Sequence, residues 1–509
     1  MIPVTKKRAT RVAKALLVHP DDSVVTLVEP VRAGAAIAFD ARSVTALADT
    51  PSGHKIAIAP IVAGAPVLKF GFPIGTATIA IATGAHVHSH NLATALDGTL
   101  DYRFAPTAPA PVRQRDEPMT FQGYLRADGR VATRNEIWVL PTVGCVARTA
   151  SRIAAQANAA LTSDTKAGVI DGVHAFTHPF GCSQLGDDLD GTRSILAALA
   201  CHPNAGGVLI VGLGCESNQI DALLREIPEQ RRPVIRTLIT QSAGNEIDEG
   251  VAKVAELADL ARSHRSPVGL DRLVLGVKCG GSDGLSGLTA NPLVGRISER
   301  VVAAGGCVLL TEIPEMFGAE RLLMERAVTE NVFDSIVMMV NDFKRYFLDH
   351  GEPVSENPSP GNVAGGITTL EEKSLGAVQK AGRTPVSHVI PYGARIEGTG
   401  LTLLEAPGND AVSCTALAAA GATAILFTTG RGTPLGFPVP TIKIASNGAL
   451  ATRKPGWIDF DAGAVLEHGV DRVAQDLAMR VCEIASGAST AAERNGEREI
   501  AIWKRGVTL

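Results

Sequence analysis

Short apolar runs broken by glycine turns occupy the first part of the chain. From about His19 to Asn91, DDSVVTLVEP, HKIAIAP, APVLKFGFPIGTATIA and HVHSHN read as β elements, at the spacing of a small all-β module. The stretch DYRFAPTAPAPVRQRDEP that follows is rich in proline and alanine and reads as a semi-rigid, extended linker. From Phe121 the pattern changes. NEIWVLPTVGC is a buried strand ending in a Gly-Cys turn, ARTASRIAAQANAAL is helical, and VHAFTHPFGC, TRSILAALA and AGGVLIVGLGCES continue the alternation. From Asp271 the same grammar resumes in RLVLGVKCGGSDG, CVLLTEIPEMFG, TGLTLLEAPGND, GATAILFTTGRG and VPTIKIASN. Strand–turn–helix units in series imply parallel sheets with crossover helices. The expected fold is multidomain α/β: a small N-terminal all-β domain over 12–92, a linker over 93–120, a second α/β domain over 121–262 and a C-terminal α/β domain over 263–509. No internal repeat of the length of a solenoid unit stands out, although Cys-bearing strand ends recur.

Composition narrows the function. The chain has 509 residues, with 48 Lys and Arg against 52 Asp and Glu, a formal net charge of −4. That near-balance removes the electrostatic case for a nucleic-acid or anionic-membrane binder. An apolar content of 45% with low net charge argues against intrinsic disorder. The basic start has only ALLV as a continuous apolar run, too short for a secretory signal, and no run is long enough to span a membrane. Scattered cysteines without a CxxC pair suggest a cytoplasmic protein with reduced thiols.

Several motifs could carry chemistry. In HVHSHN, His86, His88 and His90 alternate, so an extended strand would place three imidazoles on one face; a solvent-facing polar rim is the plainer alternative. Cys145, Cys182, Cys215 and Cys279 each lie beside glycine at a strand end, where open α/β sheets bind ligands, although free cysteine is commonly only a small buried hydrophobe. GLGCES has a GxG without the third glycine and reads as a turn. The loops around RNE, CGGSDGLSG, TEIPEMFGAE, ENPSPGNVAGGITTLEEKSLG, APGND and TTGRGTP mix carboxylates, amides, hydroxyls and a few cations, a set suited to a hydroxylated anionic small molecule. Walker and GxSxG motifs are absent from the sequence, which counts against NTP hydrolysis and α/β-hydrolase chemistry.

Taken together, TFQGYLRADGRVATRNEIWVLPTVGC, HPFGCSQLGDD, HPNAGGVLIVGLGCE, CGGSDGLSGLTANP, LTEIPEMFGAE, VNDFKRYF, ENPSPGNVAGGITTLEEKSLG, APGNDAVS, TGRGTP and WIDFDAG resemble the altronate/galactarate dehydratase family over essentially the whole chain. HVHSHN, LPTVGC and ENPSPGN look more like its altronate branch. The resemblance implies an N-terminal SAF-type, β-clip-like domain, two α/β regions and a divalent metal, typically Fe²⁺ with Mn²⁺ as the alternative. It also implies loss of water from a sugar acid, D-altronate giving 2-dehydro-3-deoxy-D-gluconate in hexuronate catabolism.

Read on those motifs, His86 and His88 are the expected metal ligands, with Cys145 and Cys279 as further ones, and His90 is a candidate acid or base. Arg134, Lys373 and Arg431 are candidates for the substrate carboxylate, with Lys373 a base in the alternative. Asn135, Ser282, Asp283, Asn409 and Asp410 are candidates for its hydroxyls, Asp410 also for catalysis. Three alternatives stay open: a galactarate or related aldarate dehydratase, an iron–sulfur dehydratase built on Cys145, Cys182, Cys215 or Cys279, and a non-catalytic sugar-acid binder. Self-association into a homo-oligomer is also left open.

Overall fold

A computed structural model describes residues 12–107, 118–166 and 168–509. Residues 12–93 form short strands in two sheets. One has six strands in the order 42–45, 36–39, 13–16, 24–27, 55–57 and 86–87; the other pairs 66–69, 72–77 and 92–93. Alternation fills the space between them, with Val24, Ile56, Val67, Ile74 and Val87 fully or almost fully buried. The module also contains a small repeat. Val31–Gly34, Ile61–Gly64 and Ile81–Gly84 form the same turn, its glycine at φ of 80°, 81° and 83°, and each is followed by a short strand. The strands after the three turns start at Ala36, Pro66 and His86. Each ends at a tight turn, so HVHSHN is not one extended strand. It leaves the sheet after Val87, and Asn91 closes a turn by donating its N–H to the His88 carbonyl at 2.9 Å.

The described part of the expected linker is not free. Tyr102 donates its hydroxyl to Glu320, and Phe104 packs against Phe333 with ring centroids 5.4 Å apart. Residues 108–117 of that linker lie outside the described residues.

The second domain holds a four-stranded parallel sheet in the order 173–175, 136–141, 205–212 and 235–239. Period-two alternation divides its apolar residues between two layers. Ile137, Val139, Leu209 and Val211 meet helices 147–160 and 246–260, whereas Trp138, Leu140, Val208 and Ile210 meet helix 186–200. An antiparallel patch of strands 131–132, 120–125 and 266–269 brings the two ends of this domain together.

The C-terminal domain is a seven-stranded parallel sheet in the order 386–390, 400–404, 307–310, 274–279, 424–429, 441–445 and 460–461. The chain winds outward from strand 274–279 on one side and then returns to its other side with strand 424–429, so the winding reverses there. The N-terminal module docks on this domain: Val67, Ile74 and Val87 belong to the same apolar core as Val277, Leu310, Met316 and Leu375.

Candidate active site

In an open parallel sheet the crevice lies beyond the carboxyl ends of the strands, where the winding reverses. Here that is the meeting of loop 279–289 with loop 429–432, joined by hydrogen bonds from Gly430 N (3.1 Å) and Arg431 N (3.0 Å) to the Gly281 carbonyl. The N-terminal module closes over this point. A Cβ on Gly284 would lie 1.9 Å from the Gly53 oxygen, so the contact requires glycine.

The approach of Gly53 delivers His54. Its ring lies 5.1 Å from that of His86 and 5.0 Å from that of His88, and the three side chains offer nitrogens that all lie within 4.8 Å of one another. His54 Nδ1 and His86 Nε2 are 3.0 Å apart. Carbonyl oxygens only accept, so the contacts from His88 Nε2 to Val363 O (3.0 Å) and from His54 Nε2 to Ala364 O (3.4 Å) place hydrogens on Nε2 and leave lone pairs on Nδ1. Donation of the distal N–H to a backbone carbonyl is the arrangement of a metal-ligating histidine. Burial and the mutual repulsion of the imidazoles bring His54 down to about 4 and His86 to about 3, and burial also lowers His88. All three are therefore neutral donors at neutral pH, and this set fits a divalent transition metal. His90 is exposed, with its ring 5.6 Å from that of His86.

The carbonyls belong to a short helix, Pro360–Ala364, started by a capping box between Ser359 and Asn362. This helix is a hub. Besides His54 and His88, it receives Arg431 Nη1 on Gly361 O (3.3 Å) and Lys373 Nζ on Asn362 Oδ1 (3.2 Å), while Asn362 Nδ2 donates to Ser282 O (2.8 Å). Just beyond it, Glu372 accepts from the buried ammonium groups of Lys55 (2.8 Å) and Lys69 (2.9 Å), both from the N-terminal module. Lys373 also meets Glu315 (2.9 Å) and Asn357 (2.9 Å). Glu315 starts a deeper charged pit with Cys279, Glu312, Lys278 and Lys380. Lys278 reaches Asp410 at 3.0 Å. Burial lowers the Lys278 pKa, but Glu312 and Asp410 more than reverse this and hold it well above the ordinary lysine value.

Comparison with known proteins covers nearly the whole chain. Residues 13–95 match the altronate/galactarate dehydratase SAF domain, 123–262 the D-galactarate dehydratase/altronate hydrolase second domain, and 270–508 the D-galactarate/altronate dehydratase C-terminal domain. Altronate dehydratase of Escherichia coli (strain K12) is 48% identical over 97% of this chain and 99% of its own length. Altronate dehydratase of Bacillus subtilis (strain 168) is 45% identical over 97% of this chain and 99% of its own. The chain belongs to the altronate/galactarate dehydratase family. A more distant member, galactarate dehydratase (L-threo-forming) of E. coli (strain K12), is 31% identical over 96% of this chain and 95% of its own.

Within this dehydratase, the residues expected from sequence fall into two groups. His86, His88, His90, Lys373, Arg431 and Ser282 gather around the 360–364 helix, and Asp410 lies in the pit beside Lys278. Others are committed elsewhere. Arg134 is buried at the junction of the two α/β domains, where it pairs with Glu493 (2.8 Å) and donates to the carbonyls of Ile484 and Ala488, so its donors are used. Asn135 ties together Val169 O and Ala261 O within the second domain. The Asp283 carboxylate is filled by Ser286, Ser446 and Asn447, and shapes the glycine turn. Asn409 caps helix 410–420 through Ala411 N and Val412 N.

Neither cysteine joins the histidines as a ligand. Cys279 is buried beneath Lys380 Nζ (2.7 Å), burial pushes its thiol up to about 12, and three lysines already neutralise the pit. Cys145 lies on the second domain, exposed and free. His54 was missed. It sits in GHKIAIAP, legible only as a strand, and no local spacing links it to His86.

Proposed function

We propose that the chain removes water from D-altronate to give 2-dehydro-3-deoxy-D-gluconate, with a divalent ion, Fe²⁺ or alternatively Mn²⁺, held by His54, His86 and His88. The observation that carries the metal reading is the trio itself: three neutral imidazoles whose ligand nitrogens lie within 4.8 Å of one another, two of them oriented by carbonyls of one helix. The two relatives that share nearly half of their residues with this chain are named altronate dehydratases, which supports altronate over galactarate as substrate.

The reaction is a β-elimination. The C2–H bond breaks, its electron pair becomes the C2–C3 double bond, and the C3 hydroxyl leaves as water; the resulting enol ketonises at C2. The C2 proton is weakly acidic because the adjacent carboxylate is already negative. When bound, the ion supplies Lewis-acid stabilisation of the charge that builds on the carboxylate side. Arg431, exposed beside the hub where it donates to Gly361 O, pairs with the carboxylate. His90 takes the C2 proton and exchanges it with solvent, and the Lys373 ammonium gives up its 3.2 Å contact with Asn362 to donate to the departing hydroxyl. Positioned acid–base groups of this kind contribute roughly 10²–10⁴-fold each. A cytoplasmic location belongs to the proposal and is supported by eight unpaired cysteines.

The test is incubation with D-altronate and with galactarate, with and without Fe²⁺, while 2-keto acid is assayed. Keto acid from altronate that requires the ion supports the proposal. Full turnover after complete metal removal, or preference for galactarate, overturns it.

A further inference from the structure

We propose that Cys145, Cys182 and Cys215 form a three-thiol seat for an iron–sulfur cluster on the carboxyl rim of the second domain, separate from the histidine site. Strands 173–175, 136–141 and 205–212 are direct neighbours, and the chain leaving each one reaches a Gly-Cys pair: Gly181-Cys182, Gly144-Cys145 and Gly214-Cys215. The three loops are locked into one body. Gly144 N donates to Phe180 O (2.8 Å), Asn218 N to Gly181 O (2.9 Å), Asn218 Nδ2 to Thr142 O (3.1 Å) and Thr142 Oγ1 to Glu216 (2.6 Å). A Cβ on Gly181, at φ +100°, would lie 2.1 Å from Thr142 O, and one on Gly144 would lie 2.9 Å from Pro179 O. Glycine therefore lets the backbones approach until the cysteine-bearing turns touch.

The thiols themselves are unusual. All three are exposed and free, whereas Cys201, Cys279, Cys307 and Cys414 are buried. An unreactive structural cysteine is ordinarily buried, and three exposed on one rim invite oxidation unless they are ligands. At the centre of the knot the buried amide oxygen of Asn218 has no hydrogen-bond partner, a sign that the loops were not shaped for their own packing alone.

The thiols do not form a seat for a single ion held by all three. Ligand atoms within 4.8 Å of one another occur, among the described residues, in the histidine trio and in the Cys279 pit, and not in this thiol trio. Thiolates on a polynuclear cluster are held apart by its own iron and sulfide, so wider spacing is what such a group requires. No fourth cysteine lies on the rim: the remaining partly buried one, Cys482, is on helix 470–485 of the C-terminal domain. Three thiolates would leave one cluster iron for an exogenous ligand. Loading is ligand exchange of a preassembled cluster, in which each thiol releases its proton and no iron changes oxidation state.

The experiment uses the full chain purified without oxygen, with iron, acid-labile sulfide and visible charge-transfer absorption measured per chain. Cluster binding predicts sulfide and absorption in the unaltered protein, retained in His88→Ala and Cys482→Ser. Cys182→Ser and Cys215→Ser should lose both, with thermal unfolding unchanged. Sulfide absent from the unaltered protein, iron without sulfide, or sulfide indifferent to both rim variants overturns the proposal. Loss of iron in His88→Ala with sulfide retained reads the histidine site separately, so either assignment can fail alone.

Discussion

His54, His86 and His88 each do little alone; what matters is that none carries charge. Burial disfavours the imidazolium, and two backbone carbonyls fix the ring hydrogens of His54 and His88 on Nε2. His88→Ala and His54→Ala are each expected to keep the fold, lose stoichiometric metal and reduce kcat/KM by at least roughly 10²-fold. Metal analysis alongside steady-state kinetics decides it, and normal metal content in either variant would remove that residue from the ligand set. EDTA-treated protein should be inactive and recover with Fe²⁺. At this scale the sequence was half legible. His86, His88 and His90 share one short motif, but His54 precedes the strand at 55–57, 32 residues before His86 in the chain. Arg134 and Asp283 show the converse. A polar residue in a dense loop looks functional until its partners are known, and theirs turned out to be Glu493 and a serine-rich turn.

Among the elements, helix 360–364 and the residues after it decide whether the site assembles. Glu372 is the pin. It balances Lys55 and Lys69, both buried, and also accepts from Thr368 N and Oγ1 at 2.9 Å. Glu372→Gln leaves two buried ammonium groups without their counter-charge, a loss of about 3–5 kcal/mol for a broken buried pair. The expected outcome is a lower Tm together with weakened metal retention, because the module that carries the histidines loosens. Unchanged unfolding would refute the pinning role. The strand-end turn after His88 was readable in principle. The three Gly-Ala turns precede strands of similar brevity, and the first two strand segments, AAIAFD and APVLKFG, end in a tight turn at the same offset. Alternation alone suggested a longer strand because it records which faces are polar, not where pairing stops.

The molecule as a whole is two α/β bodies with the β module seated on the second of them. Strand–turn–helix order and gapless apolar strands made the parallel sheets legible in the sequence. Which domain the module would choose was not, because a docking face looks like any other half-buried strand until its partner core is seen. The two α/β bodies meet through the Arg134–Glu493–Arg498–Glu136 network, at 2.8 Å, 3.1 Å and 2.8 Å for its successive pairs. Burial would raise the Glu493 carboxyl, but Arg134 and Arg498 more than reverse this and bring it to about 2 from an ordinary 4.5. A depressed carboxyl stabilises the fold fully above its unfolded value and less as pH falls through the folded one. Tm should therefore be flat above about pH 5 and fall between there and pH 2, and Glu493→Gln should lower the plateau and flatten the acid limb. An acid limb identical in that variant would assign the loss to other carboxylates.

The pairing of Lys55 and Lys69 with Glu372 has a consequence for chain continuity. The grip between the two pieces is made of shared apolar core and buried ion pairs, so the peptide connecting them serves to keep them at high local concentration. Severed and co-expressed, the halves should find each other and restore the imidazole trio, as an enzyme assembled from two polypeptides.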